Sequence, residues 1–306
     1  MTIAVFPGQG SQSPGFLSPW LEADGVADRL AQYSEWSGVD LVAAGTEWDA
    51  DRIRDTEVAQ PLIVAASLLS WNALPDRDGI AGVAGHSVGE FAAAAAAGVL
   101  SEQDALTLVG IRGRAMAKAA AAAATGMSAV IGGDEASVIA RLDELGLAPA
   151  NYNGGGQLVV AGALDALQAL AAEPVAATRV IPLQVAGAFH THYMAPAVET
   201  LRAAAAEVAA SDPALTLWTN RDGSVVTSGR AFLDLLVDQV ASPVRWDLCM
   251  AAFADAGVSG IVELSPAGTL VGLAKRALRG VPAVAVKTPD DLEAATALVA
   301  ADARPE

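Results

Sequence analysis

A serine set between two glycines, Gly85-His86-Ser87-Val88-Gly89, is the part of this sequence best suited to covalent chemistry. Residues 80–84 before it are small and apolar and read as a buried strand, and residues 91–97 after it are nearly all alanine and read as a helix. Strand, sharp turn and helix form an arrangement in which flanking glycines leave room for a strained bend that lifts a hydroxyl clear of a sheet. Ser87 then stands where unpaired backbone N–H groups and the helix dipole favour negative charge, with the Val88 N–H aimed at a tetrahedral oxyanion. The bland alternative is a serine that caps a helix.

A serine nucleophile needs a base, and imidazole titrates near neutrality. There are three histidines. His86 adjoins the serine, so its side chain projects away across the turn. His190 and His192 share the loop Gly187-Ala188-Phe189-His190-Thr191-His192. His190 is the better placed as a base, although a structural histidine packed on Phe189 fits the same residues. No aspartate stands out to orient the ring, and a backbone carbonyl serves equally well.

The elements that must position these groups alternate along the chain. Residues 2–6 read as a strand that runs into the turn Pro7-Gly8-Gln9-Gly10-Ser11-Gln12, which lacks the Gly-Lys-Ser/Thr ending of a phosphate loop. Residues 17–36 read as a helix and 40–55 as an acidic exposed stretch. A helix entered at Thr56 carries Gln60-Pro61 in its first turn. Ser101 and Asp104 resemble a capping box, and they open a helix over 101–124 with Arg112 beside its buried face. Residues 127–132, 158–161 and 178–183 read as strands, with helices over 134–145 and 164–171 between them, the outline of a small ferredoxin-like unit. This predicts an α/β chain with a large domain over 1–124 and 186–306 and an inserted α+β subdomain over 125–185. In the second part of the large domain, helices are expected over 195–210, 232–241, 246–256 and 269–278, with strands over 215–220 and 260–264. Such alternation implies a mostly parallel sheet covered on both faces.

Composition narrows the classes of function. The chain has 306 residues, 53% of them hydrophobic and 17% charged, enough to bury a sizeable core. Eighteen basic against 35 acidic residues give a net charge of -17, which argues against nucleic acid or an anionic membrane as partner. The single cysteine, Cys249, excludes a disulfide framework, fits a reducing compartment and sits between Leu248 and Met250 as a buried thiol would. No signal peptide is visible and the alanine tracts are too short to span a bilayer, so a cytoplasmic location is expected. No cluster has zinc-ligand spacing, and neither a metal nor a cofactor is expected.

Seven motifs occur in order: Phe6-Pro7-Gly8-Gln9-Gly10-Ser11-Gln12, Gln60-Pro61, Gly85 to Glu90, Arg112-Gly113, Gly187-Ala188-Phe189-His190, Pro243-Val244-Arg245-Trp246 and Glu263 to Gly268. Their order and spacing resemble the malonyl-coenzyme A:acyl carrier protein transacylases of fatty-acid synthesis, from Ile3 to about Leu278. The resemblance implies a hydrolase-like core and a Ser–His dyad, Ser87 as nucleophile and His190 as its base and acid. It implies an oxyanion hole from the backbone N–H groups of Gln9 and Val88, and Gln60 in the substrate pocket. Arg112 would hold the free carboxylate of a malonyl group, where a guanidinium can form two parallel charged hydrogen bonds. A salt bridge on a helix face is the ordinary alternative for that arginine. Phe189 would crowd the carbon between the two carbonyls and favour malonyl over methylmalonyl.

The sequence departs from the family at Arg245, where glutamine is common and contributes a backbone carbonyl that orients the histidine. A carbonyl survives substitution, so Arg245 is expected to keep that role. His192 replaces a proline or apolar residue, and either modulates the entrance or faces solvent. The implied partners are malonyl-coenzyme A and phosphopantetheinylated acyl carrier protein. Because carrier proteins are typically acidic, docking calls for a local basic patch, for which Lys275, Arg276 and Arg279 are candidates, with Arg114 and Lys118. The competing readings are a serine thioesterase or esterase, an acyltransferase for another extender unit in polyketide synthesis, and a catalytically silent scaffold for carrier protein. The first is disfavoured because no histidine follows His192, and the last by Ser87, His190 and Arg112 occurring together.

Overall fold

Residues 1–75 and 77–302 are described by a computed structural model. Within them ten strands run in the order β1 (Thr2–Phe6), β2 (Ile80–Gly85), β3 (Thr125–Gly132), β4 (Ala148–Gly154), β5 (Gln157–Ala163), β6 (Thr178–Pro182), β7 (Thr216–Leu217), β8 (Val244–Arg245), β9 (Gly260–Glu263) and β10 (Ala283–Ala285). Five of them build a parallel sheet in the order β10-β9-β1-β2-β7. All five residues of β1 are buried, as a central strand covered on both faces requires. β1 and β2 finish side by side with Phe6 opposite Gly85, so the turns that follow both strands emerge at the same edge. The carboxyl edge of a parallel sheet is where such folds bind ligands.

Helices pack against this sheet. Thr56–Ala73, buried for most of its length, lies against Glu102–Ala120. Close approach is possible because Glu102–Ala120 presents Gly113, where an added Cβ would lie 3.0 Å from the Thr56 carbonyl oxygen. Ser101 caps that helix by accepting the Asp104 N–H at 3.0 Å, which fixes the axial position of Arg112 about three turns along.

The second sheet has the order β6-β3-β5-β4-β8. Its first four members pair antiparallel, and the helices Glu135–Leu145 and Leu164–Ala172 cover one face around a separate apolar cluster of Val130, Val138, Leu142, Val160, Leu167 and Leu170. β8 comes from much later in the chain and joins β4 in parallel, Tyr152 opposite Arg245.

Several expectations are corrected. The sequence suggests no element between 145 and 158, where strand β4 lies, half-buried and irregularly paired to β5. Residues 17–36 are not one helix: a short 3-10 turn, Ser18–Glu22, is separated from the helix Val26–Ser37 by Gly25, whose φ of 76° breaks the run. The acidic stretch contains two short helices, Leu41–Thr46 and Ala50–Arg54, each opened by an aspartate side chain that accepts a backbone N–H. Pro61 sits beyond the first turn, inside Thr56–Ala73, at the cost of one backbone hydrogen bond. The sequence also reads residues 301–306 as a loose tail, of which residues 303–306 lie outside the described residues.

Candidate active site

Ser87 has φ 52°, in the left-handed region that a non-glycine residue seldom occupies, at a cost on the order of 1–3 kcal/mol. Its neighbours hold it there. The Ser87 N–H donates to Asn220 Oδ1 at 2.7 Å, and its carbonyl accepts from Gln239 Nε2 at 3.2 Å and from the Glu90 N–H at 3.0 Å. Asn220 Nδ2 in turn donates to the Gly85 carbonyl at 2.7 Å. The flanking glycines leave no room for a side chain. A Cβ on Gly85 would lie 2.1 Å from the Gly89 carbonyl carbon, and one on Gly89 would lie 2.2 Å from the Phe6 oxygen. The helix Gly89–Ala96 begins directly after the bend, against β1 and β2.

His190 also has a positive φ, 60°, at the end of the Gly187 loop. Its Nε2 lies 2.7 Å from Ser87 Oγ and its Nδ1 lies 2.9 Å from the Gln239 carbonyl oxygen. A carbonyl only accepts, so Nδ1 carries the proton and Nε2 faces the hydroxyl as a free base. Burial, then the charge of Arg112, pushes the imidazole down to about 3, against the pull of the Gln239 carbonyl. His190 is therefore neutral at neutral pH. The expectation that Arg245 supplies the orienting carbonyl is overturned. Arg245 is held in β8, its N–H donates to the Asn220 carbonyl, and its guanidinium grips Asp247 through two bonds and lies over the Tyr152 ring.

Arg112 is 1% exposed. It donates to Gln60 Oε1 at 2.6 Å, to Gln239 Oε1 at 3.0 Å and to Ser87 Oγ at 3.4 Å, while its Nε has no partner. Among the described residues no carboxylate touches the guanidinium, so the salt-bridge alternative fails. Burial pushes it down to about 10, and the nearby Glu90 pulls it back up. A buried cation without an ion pair is costly. Here its surroundings are neutral oxygens.

Gln9, Gln60, Ser87, Val88, Arg112, Phe189 and His190 all line one pocket. Its volume of about 90 Å³, at roughly 30 Å³ per water in the liquid, holds on the order of three waters. That is the size of a short acyl group and not of a fatty chain. The backbone N–H groups of Gln9 and Val88 have no partner among the described residues. Both are free to receive an anion. The pocket shares Gln9, Leu183 and Val185 with an open cleft of about 400 Å³ that also borders Gln12 and Arg54.

His86 is turned away from the serine, as expected from its position. Its Nε2 meets Asn153 Oδ1 of β4 at 2.9 Å, and burial lowers its pKa. His192 is exposed and stacks on Tyr193, facing solvent. Cys249 is buried, with burial raising its thiol well above the usual range. Sequence reasoning missed Gln239, Asn220 and the inward role of Glu90. Glu90 is 1% exposed, its Oε1 accepts the Asn220 N–H at 2.7 Å and its Oε2 accepts from Gln239 Nε2. Burial pushes its carboxyl up to about 8, against those donors and Arg112. The position of Glu90 directly after the second glycine of the motif was the one signal available. No grouping of His, Cys, Asp and Glu among the described residues could hold a metal ion, and no helix among them is long and apolar enough to cross a membrane.

Residues 3–298 match the acyl transferase domain family. A malonyl CoA-acyl carrier protein transacylase of Mycobacterium bovis is 55% identical over 297 residues, 96% of this chain and 98% of that protein. The protein of the same description from Escherichia coli K12 is 33% identical over 303 residues, 96% of this chain and 98% of its own. A crystal structure of MCAT from Mycobacterium tuberculosis superposes with a TM-score of 0.93 at 54% identity, covering 97% of this chain and all of that one. A malonyl-transacylase solved in complex with its type II PKS acyl-carrier protein gives 0.91 at 30% identity, with 97% and 99% coverage. The chain belongs to the acyl transferase family, among the malonyl CoA-acyl carrier protein transacylases.

Proposed function

We propose that this protein transfers the malonyl group from malonyl-coenzyme A to the phosphopantetheine thiol of acyl carrier protein, through a malonyl ester on Ser87. The observation that carries the reading is one hydroxyl oxygen with an imidazole nitrogen at 2.7 Å and a buried guanidinium nitrogen at 3.4 Å. The first activates a nucleophile, and the second marks the far end of a pocket that can take an anionic acyl group.

In the first half-reaction His190 Nε2 takes the Ser87 proton as Oγ attacks the thioester carbonyl. The oxyanion rests on the N–H groups of Gln9 and Val88, worth about 3–4 kcal/mol per donor in comparable sites. Collapse expels the coenzyme A thiolate, which takes the proton back from His190. In the second half-reaction the carrier thiol gives its proton to His190, attacks the ester, and Ser87 leaves as its hydroxyl. Arg112 clamps the malonyl carboxylate, and that added negative charge offsets the cation that depresses His190, making it a better base once substrate is bound. Gln60 holds the guanidinium in place, and Phe189 packs on the carbon between the two carbonyls, favouring malonyl.

The cleft beside Gln9 and Leu183 is the route for the pantetheine arm. Residues 125–185 form an inserted subdomain that walls the site, with 1–124 and 186–306 making the larger domain. Carrier protein docks on exposed Lys275, Arg276 and Arg279. Arg114, exposed with its guanidinium on the Ser37 carbonyl, and Lys118 are the further candidates for that patch. A cytoplasmic location suits both substrates. Intact-mass measurement after mixing with malonyl-coenzyme A tests the reading: the wild-type chain gains a malonyl adduct and Ser87→Ala does not. An adduct on the alanine variant, or none on the wild type, refutes it.

A further inference from the structure

A direct carboxylate partner for Arg112 would compete with the carboxylate of the substrate, and the chain avoids one. The acid that attracts Arg112 is Glu90, and a single amide lies between them: Gln239 Oε1 accepts from Arg112 at 3.0 Å, and Gln239 Nε2 donates to Glu90 Oε2. A guanidinium can only donate and a carboxylate can only accept. The amide is therefore locked in one orientation, its oxygen toward the guanidinium and its amino group toward the acid. The other Glu90 oxygen accepts the N–H of Asn220, whose side chain receives the Ser87 N–H. The same Gln239 gives His190 its orienting carbonyl. One buried acid thus sits behind the partners of all three reacting groups.

We propose that Glu90 is a positioning residue that fixes the Gln239 amide, and through it Arg112, so that the guanidinium is held in place without a contacting carboxylate and its open face remains available to an acyl carboxylate. This rests on the malonyl-transfer reading. Burial lowers the Arg112 pKa and Glu90 raises it, but the connection through the amide is one of geometry.

Glu90→Gln keeps the shape but presents one oxygen to two donors, so either Asn220 or Gln239 loses its acceptor. Gln239→Leu removes the amide from the other side and keeps the backbone carbonyl. With folding checked by circular dichroism, kcat and KM are measured for malonyl-coenzyme A and acetyl-coenzyme A at fixed carrier protein. The expected result for both variants is a malonyl-to-acetyl kcat/KM ratio lower by about tenfold to a hundredfold, the effect of one charged hydrogen bond, carried chiefly by the malonyl KM. In an Arg112→Ala background, Glu90→Gln should leave that ratio unchanged. Equal losses for the two donors, or the same change in ratio without Arg112, overturn the proposal. If only one variant folds, that one decides. A wild-type chain without a Ser87-dependent adduct refutes the functional reading itself, whereas a normal adduct with an unaltered donor ratio in Glu90→Gln refutes this inference alone.

Discussion

Replacing Arg112 by alanine separates the role of the buried cation in substrate choice from any role in the fold. In the native chain the guanidinium donates to two amide oxygens and reaches the Ser87 hydroxyl, with no acid in contact. A malonyl carboxylate at the end of the pocket gains two charge-assisted bonds, each worth about 1.5–3 kcal/mol, or about 3–6 kcal/mol together. At about 1.36 kcal/mol per decade, kcat/KM for malonyl-coenzyme A should fall by about 10² to 10⁴. Acetyl-coenzyme A offers no carboxylate and is spared the company of an unpaired charge, so its transfer should fall much less or rise. A second consequence runs through His190. Arg112 is the second-largest cause of its depressed pKa, so the variant should raise it. Since the base must be neutral, activity is lost as pH falls through that pKa, and a higher pKa moves the acid limb of acetyl transfer to higher pH. Both arms are read by transfer to carrier protein from each donor across pH, on protein whose fold has been checked, because the Gln60 and Gln239 oxygens lose their donor. Equal losses for the two donors would refute the clamp. An unmoved acid limb would refute the electrostatic link.

Further outcomes follow from other contacts. Gly89→Ala drives a Cβ into the Phe6 carbonyl and should cost about 1–3 kcal/mol by urea denaturation, with a larger loss in kcat because the displaced backbone leads into Gln9. The neutral, buried His190, at about 3 against an ordinary 6.5, binds its proton far less readily folded than unfolded, so its contribution to stability is present above 6.5 and is lost as pH falls from there toward 3. Between pH 6.5 and 5 that loss amounts to about 1–2 kcal/mol, and His190→Gln should abolish that share when denaturation midpoints are compared. Neutralising Lys275 and Arg276 together should raise the KM for carrier protein and flatten its salt dependence, while malonyl adduct formation from coenzyme A is unaffected; unchanged transfer would remove the patch from the docking face.

The elbow was legible because its chemistry is local: small strand, two glycines and a serine announce a bend too tight for side chains. His190 needed the resemblance, since nothing near it in sequence separates a base from a structural histidine. Gln239 was illegible for a physical reason. Its backbone carbonyl does the orienting, which any residue supplies, and its amide matters only once folding brings Arg112 and Glu90 to either end. The same logic misplaced the carbonyl at Arg245, whose side chain is spent on Asp247. Strand β4 escaped because Pro149 and two asparagines mask an irregular element in which only Ala150 and Asn153 are buried, and β10, three residues long, carries almost no pattern. Strand order could not be read at all, being decided by pairings between residues far apart in the chain.

The seam between β4 and β8 makes the inserted unit a poor candidate for exchange. Two residues that follow the nucleophile by more than a hundred and fifty positions, Val244 and Arg245, complete its ladder, and Asn153 on the same strand touches the histidine preceding the nucleophile. A chimera that borrows residues 125–185 from a relative therefore imports half a zip fastener. Unless the matching dipeptide travels with it, the graft would be torn along the edge nearest the chemistry.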